Sequence, residues 1–320
     1  MSAARAAIAG AWRADEARCL QPLIDAARGD AAERERTSLL AQSLIAGMRR
    51  HQRRRGVEAL AGAFPLDSPA GLALLSLAEA LLRVPDAANG NRLLRDRLSR
   101  IDWSALPATG VMAQALKLAS ACVSAPGWGR FMATPVRQAM RLAIRALSDQ
   151  FVFAQSIESA LARARRAAPQ GYRYSFDMLG EAALTAHDAQ RYFLGYRHAI
   201  DAVGAAYRGW GPVAGGSVSV KLSALHPRYT HTQHDRVMRE LLPRLLELLR
   251  LAQRHRIALV IDAEEAERLE LSLDVIEAVM ASGELAPDCA LGVAVQAYQK
   301  RAPAVIDYLL GLAASHQSRI

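Results

Sequence analysis

Four residues in the second half of the chain stand where an apolar run gives way to polarity: Asp177, Lys221, Asp262 and Gln296. A charged group at such a position must be hydrated, paired or used, because burying it bare is costly. A lysine and an aspartate projecting into one mouth can hold a zwitterion, the ammonium taking a carboxylate and the carboxylate taking an amine. Gln296 adds both a donor and an acceptor, which suits the edge of a heterocycle. The set fits an amino acid beside a flavin or nucleotide. It equally fits a carboxylate lyase or an aldolase, with Lys221 as the Schiff-base amine. Each residue also has a bland explanation as a loop residue or helix cap. Asp262, followed by Ala263-Glu264-Glu265, would cap a helix and complement its dipole.

Elements with a recognisable pattern must position these groups. Tyr172 to Phe176, Ser217 to Leu222, Ile257 to Asp262 and Leu291 to Gln296 are short apolar or β-branched runs. Helical patterns follow them: one through Gly204, one from His234 to His255, one from Ala266 to Ser282 and one from Pro303 to Ser315. Pro243 is expected near a first turn or at a kink. Four strand–helix units at roughly forty-residue intervals imply a parallel sheet covered by helices, either doubly wound or a (β/α) barrel. No GxGxxG follows any strand, which weakens the dinucleotide-binding option. In both architectures chemistry sits at the carboxyl ends of the strands, where the four polar residues fall.

The first half reads differently. Up to about Gly56 the chain is a helical arm rich in arginine. Arg49, Arg50, Arg53, Arg54 and Arg55 form a basic run, read as a solvated helix end or, less simply, as a nucleic-acid or membrane contact. Residues 57–168 read as a helical domain and linker. Ser68-Pro69 starts one helix and Val84-Pro85-Asp86 ends it. The break Ala168-Pro169-Gln170-Gly171 marks the main boundary, and 169–320 forms the α/β part.

With 320 residues, a charged fraction of 22% and a hydrophobic fraction of 52%, the composition is that of a folded globular chain. The net charge of +9 favours anionic partners without choosing among nucleic acid, lipid and small carboxylates. Three dispersed cysteines, Cys19, Cys122 and Cys289, read as reduced thiols, and no Cys/His spacing suggests a metal. The N-terminus makes a poor signal peptide, and no apolar run reaches the roughly 20 residues a membrane span needs.

Longer motifs carry a resemblance. Tyr174-Ser175-Phe176-Asp177-Met178-Leu179-Gly180-Glu181-Ala182-Ala183 looks like the opening of the catalytic barrel of the proline utilisation A family. Val220-Lys221-Leu222-Ser223-Ala224-Leu225-His226-Pro227-Arg228-Tyr229 resembles its next strand and loop. Ile261-Asp262-Ala263-Glu264-Glu265-Ala266-Glu267-Arg268-Leu269-Glu270 resembles the third strand, and Val295-Gln296-Ala297-Tyr298-Gln299-Lys300-Arg301 the fourth. Leu77-Ala78-Glu79-Ala80-Leu81-Leu82-Arg83-Val84-Pro85-Asp86 is similar to the family's helical domain.

The resemblance implies the first half, about four βα units, of a (β/α)8 TIM-like barrel. It implies FAD-dependent oxidation of L-proline to pyrroline-5-carboxylate, with electrons passed to a membrane quinone. NAD belongs only to an aldehyde dehydrogenase module that this chain does not contain. By motif, Lys221 binds the proline carboxylate and Asp262 lines the substrate pocket. Glu181 gates the site by pairing with an arginine, Gln296 bonds the isoalloxazine edge, and Ala263 and Tyr298 contact the cofactor. No metal is implied. The implied protein is cytoplasmic, peripheral at the inner membrane, and homo-oligomeric at full length. A neutral substrate amine is the expected hydride donor, so the rate should rise with pH.

Two expectations concern what the chain lacks. The family's later strands and paired arginines are absent, so the polypeptide alone is expected to bind FAD poorly and to be inactive. No ribbon-helix-helix segment is found, so no DNA-binding domain is expected. Outside the resemblance, three other readings remain: a non-catalytic interaction protein with a degenerate half barrel, a Schiff-base lyase, and a nucleic-acid binder using the arginine run.

Overall fold

A computed structural model describes residues 3–51, 152–167, 171–180, 183–285 and 291–320. The sequence-based helices around Ser68-Pro69 and Val84-Pro85-Asp86 lie outside the described residues, as does Glu181. The chain divides into two compact units, residues 1–29 with 156–320, and residues 30–155. In the second unit the described part is chiefly helix α3 (Ala31–His51), whose Arg49 and Arg50 are exposed.

The first unit begins with α1 (Ala3–Trp12) and α2 (Glu16–Ala27), resumes with α4 (Ile157–Ala167), and then alternates strand and helix. Strand β1 (Ser175–Asp177) leads to α5 (Ala186–Ala206), and β2 (Ser217–Val220) to α6 (His234–Glu240) and α7 (Leu242–His255). Strand β3 (Ala258–Ile261) leads to α8 (Leu269–Ala281), and β4 (Leu291–Val293) to α9 (Ala302–Ser315). The expected proline effect is seen, since Pro243 sits in the first turn of α7 and the helical run breaks at Leu241.

All strand pairs are parallel, and the order is β1-β2-β3-β4 without a reversal. Right-handed crossovers in a sheet that always grows the same way put every connecting helix on one face. Burial agrees: Val218, Val220, Leu259, Ile261 and Leu291 are at most 1% exposed and form the helix-side layer. The residues between them, which point to the other face, are small or polar apart from Val260. Asp177 pairs with Ser219, Ser219 with Val260, and Val260 with Gly292. Gly292 is required there, because a Cβ would stand 2.8 Å from Val260 Cγ2.

The helix layer is set by apolar stripes. Phe193, Tyr196, Ile200 and Val203 recur at helical spacing along the buried side of α5. A capping box starts that helix, with Thr185 Oγ1 accepting from the Asp188 amide at 3.1 Å and Asp188 Oδ2 accepting from the Thr185 amide at 3.0 Å. Helices α5 and α7 approach so closely that a Cβ on Gly204 would lie 2.2 Å from the His255 ring. Helix α7 ends with Arg256 in the left-handed conformation at φ 54°, a C-cap geometry usually given to glycine. No helix among the described residues is long and apolar enough to cross a membrane.

Candidate active site

The strand register brings three charges together. Asp177 closes β1, while Lys221 and Asp262 stand one residue beyond the paired Val220 and Ile261. Lys221 is two residues beyond Ser219, the partner of Asp177, so all three point to the face without helices. Lys221 Nζ lies 3.1 and 3.2 Å from the two carboxylate oxygens of Asp177 and 2.9 Å from Asp262 Oδ2. The backbone is pinned beneath them, with the Lys221 amide donating to the buried Tyr196 hydroxyl of α5 at 3.1 Å. Asp262 Oδ1 accepts from the amide of Ala263 at 2.9 Å. That bond orients the carboxylate toward the lysine. The helical turn begins only at Ala266, so Asp262 is not a helix cap.

Among the described residues, one ammonium stands between two carboxylates on a partly open surface. The Lys221, Asp262 and Asp177 side chains are 25%, 29% and 39% exposed. Such a cluster attracts an amine to its carboxylates and offers the lysine to an anion, as zwitterion binding requires. It suits a Schiff base poorly. That chemistry needs a neutral amine, and an ion-paired ammonium has no lone pair to offer.

Gln296 sits past the end of β4 and is tied to the same mouth through Glu264. Its Nε2 donates to the Glu264 carbonyl at 3.2 Å, while Glu264 Oε1 accepts from the Ser223 amide at 2.9 Å. The loops after β2, β3 and β4 are thus linked in one chain of hydrogen bonds. Gln296 Oε1 accepts from Tyr298 at 3.2 Å and from Gln299 Nε2. Tyr298 is 80% exposed. A cavity of about 30 Å³ lies behind these loops, lined by Asp262, Ala263, Gln296, Tyr229, Ser272 and Arg301. It has room for an ordered water rather than a substrate. Burial pushes the Tyr229 phenol well up, which keeps it protonated.

The described residues therefore bring Lys221, Asp262, Ala263 and Gln296 to one end of the sheet and add Tyr298 at its rim. The reading from sequence named Asp177 as a strand end without giving it a catalytic role, yet it holds the lysine as closely as Asp262 does. Two residues were missed. Glu264, whose side chain is 9% exposed, was read as part of a helix cap and instead splices three loops. Arg301 is 1% exposed and packs against Trp12. Nothing local in the sequence distinguishes it from a solvated arginine.

Whether a flavin fits can be asked of Gln296. Both hydrogen bonds to its oxygen come from within its own loop, and one of its two amide N–H bonds goes to Glu264. The second N–H has no partner among the described residues and could donate to an acceptor on a planar ring. These residues fit that part of a flavin site.

The sheet order and this cluster define a parallel α/β unit with a charged mouth at the carboxyl ends of its strands, and comparison with known proteins supplies its kinship. Residues 160–320 match the family described as proline dehydrogenase, and residues 2–49 match the proline utilization A proline dehydrogenase N-terminal domain. The chain belongs to the proline dehydrogenase family, and within it to the proline utilization A type. It is 41% identical to the bifunctional protein PutA of Salmonella typhimurium and 42% identical to that of Escherichia coli K12 across its whole length. It spans 26% of each of those relatives. The solved Bradyrhizobium japonicum proline utilization A is 40% identical, with a TM-score of 0.66 over 96% of this chain and 32% of that one.

One expectation is overturned. Residues 56–151 match the family described as the DNA-binding domain of proline dehydrogenase, so the absence of such a domain is corrected. The exclusion rested on the missing ribbon-helix-helix segment. The apolar periodicity read in the sequence of residues 57–168 does not distinguish a DNA-binding role from packing.

Proposed function

We propose that this chain forms part of the catalytic portion of an FAD-dependent L-proline dehydrogenase, which converts proline to pyrroline-5-carboxylate. The observation that carries the reading is the Lys221 ammonium held between Asp177 and Asp262 at the carboxyl ends of three adjacent parallel strands. The four-stranded sheet is read as the first half of an eight-stranded barrel, with the helix-free face as its interior.

Lys221 takes the proline carboxylate, and Asp262 and Asp177 orient the ring nitrogen. Substrate binding exchanges one lysine–aspartate contact for a lysine–carboxylate contact, so the pocket's charge is rearranged without burying a bare ion. Gln296, Ala263 and Tyr298 hold the isoalloxazine, and Glu181 gates the mouth. The bound flavin supplies a two-electron acceptor, and the protein supplies orientation and exclusion of water. Proline loses a hydride from the ring carbon beside nitrogen and a proton from nitrogen. The amine must be neutral for this, so the rate rises with pH through the titration of bound substrate. Onward transfer to a membrane quinone fits a cytoplasmic protein that works at the inner membrane surface.

The test is anaerobic reduction of the flavin by L-proline in the FAD-loaded full-length protein. Bleaching of the visible band is expected, with loss of at least about a hundredfold in rate in Lys221→Ala. A flavin band that survives excess proline sinks the reading. Borohydride trapping of a carbonyl substrate on Lys221 would instead establish the lyase.

A second reading is specific to residues 56–151. Their match to a domain described as DNA-binding, together with the whole chain's net charge of +9, supports contact with DNA. Salt-dependent retention of the full chain on duplex DNA tests it. Retention unchanged by deleting 56–151 counts against it.

A further inference from the structure

The loop that carries Gln296 is gripped from the far end of the chain. Arg301, at the start of α9, is buried, and three of its sides are occupied. Its Nε donates to Gln299 Oε1 at 2.8 Å, its Nη2 donates to the Ala266 carbonyl, and its guanidinium lies 4.5 Å from the centre of the Trp12 ring. Gln299 in turn donates its amide to Gln296 Oε1. An unbroken path therefore runs from Trp12 through Arg301 and Gln299 to Gln296.

Helix α1 holds this path at a second point. Arg5 donates to Glu270 Oε2 at 3.0 Å, and the other oxygen of Glu270 stands 3.9 Å from Arg301 Nη1. Neither Glu270 Oε1 nor Arg301 Nη1 has a hydrogen-bond partner among the described residues. Arg301 is thus incompletely satisfied by its own loop, and the Trp12 ring closes the side that would otherwise admit water. A guanidinium desolvated against an aromatic face gains more from that contact than an exposed one. The segment after α1 adds a further clamp, with Lys300 Nζ donating to the Ala14 carbonyl at 2.9 Å and lying 3.7 Å from Glu16.

We propose that α1 is a positioning element for the Gln296 amide, acting through Trp12, Arg301 and Gln299. The proposal rests on the reading of Gln296 as a flavin-facing residue, and it goes beyond that reading by assigning a site role to residues nearly three hundred positions away. Trp12 and Arg301 touch neither substrate nor flavin in this scheme. They fix the rotamer of a group that does.

Hydrogen exchange in the chain without flavin is the first measurement. The reporters are the Gln299 amide, bonded to the Gln296 carbonyl at 3.0 Å, and the Ala302 amide, bonded to the Gln299 carbonyl at 2.9 Å. Trp12→Ala is expected to speed their exchange about tenfold while leaving the β2 and β3 amides unchanged. Trp12→Phe, which keeps a ring face, restores protection, and Arg301→Lys, which loses the fork, behaves like Trp12→Ala. Faster exchange confined to residues 1–16 overturns the proposal. The second measurement is FAD affinity and the shape of the flavin band in the full-length protein. Trp12→Ala is expected to weaken binding and shift the band, both restored by Trp12→Phe. A band and affinity unmoved by Trp12→Ala overturn the link to the cofactor. Failure of the wild-type protein to bind FAD would instead refute the proposed function, and the exchange experiment would still decide whether α1 orders the loop.

Discussion

Two clusters in this molecule each surround one cation with carboxylates, and they are built for opposite ends. At the strand ends Lys221 meets Asp177 and Asp262, which converge from neighbouring strands. On the outer layer Arg5 meets Glu270, Asp274 and Glu277 at 3.0, 2.6 and 3.3 Å. Those three acids lie along one face of α8 at i, i+4 and i+7, where they would repel one another without a cation. Arg5 is 8% exposed at its side chain and Lys221 is 25% exposed. The arginine also stacks 4.6 Å from the centre of the Tyr308 ring. A planar fork held by several acids and a ring face has one geometry and little reason to leave it. A lysine offers a point charge on a flexible stem, so it can trade a carboxylate of the protein for one on a ligand. The same charge pattern thus serves to fasten a helix in one place and to receive a molecule in the other.

Removing the cations breaks the comparison in different observables. Lys221→Ala should cost about two to three orders of magnitude in the rate of proline-dependent flavin reduction, because a ligand carboxylate would face Asp177 and Asp262 unopposed. Thermal unfolding should change little, since both carboxylates reach solvent. Arg5→Ala should leave substrate affinity nearly intact and lower unfolding stability by about 2 kcal/mol in urea titration. That is less than the ~3–5 kcal/mol of fully buried pairs, because the acids of α8 are partly hydrated. Equal effects of the two substitutions on stability would erase the distinction.

Exchanging the cations sharpens it. Lys221→Arg keeps the charge but sets a rigid fork where a substrate must displace a contact, so KM should rise more than kcat falls. Arg5→Lys keeps the charge and loses the multiple contacts, and should cost about 1 kcal/mol in the same urea titration. A lysine that serves as well as the arginine at position 5 would mean that the fork geometry carries no weight.

The difference between the clusters also explains what could be read from the sequence. Lys221 and Asp262 each terminate an apolar strand, so alternation and strand order suffice to place them side by side. The strand–helix order, the first-turn position of Pro243 and the parallel pairing were legible for the same reason, since each follows from local pattern and crossover rules. The Arg5 cluster was not legible. Its acids show as an ordinary amphipathic face of α8, and its arginine lies 265 residues away from Glu270. Arg301 is hidden likewise, because its burial depends on Trp12. Glu264 was misassigned because a carboxylate just after a strand has the local signature of a cap, while its true partner, the Ser223 amide, belongs to another loop. Contacts made across the sheet by successive strands leave a trace in sequence periodicity, and contacts made by a returning arm do not.

The smallest expected effect concerns pH and only the Arg5 cluster. Glu277 is held below the usual carboxylate value of 4.5, first by the Tyr308 hydroxyl, which donates to it at 2.7 Å, and then by Arg5. The Tyr308 phenol is correspondingly pushed up to about 12 by burial and by that same bond, so it remains a donor throughout the accessible range. Because the folded pKa of Glu277 is depressed, its contribution is fully present above pH 4.5 and fades as pH falls through the lower folded value. Arg5 stays charged across this window, so the loss belongs to the acid. Acidification should therefore loosen α1 first, seen as lower hydrogen-exchange protection factors in residues 3–12 once the intrinsic pH dependence of exchange is divided out, and Glu277→Gln should remove that part of the pH dependence. The magnitude should be small, about 0.2–1 kcal/mol, because Glu277 is half exposed and water screens the pair. If α1 keeps its protection factors as the pH falls while those elsewhere drop, its docking depends on Trp12 and the apolar contacts of Ile8, not on the acids of α8.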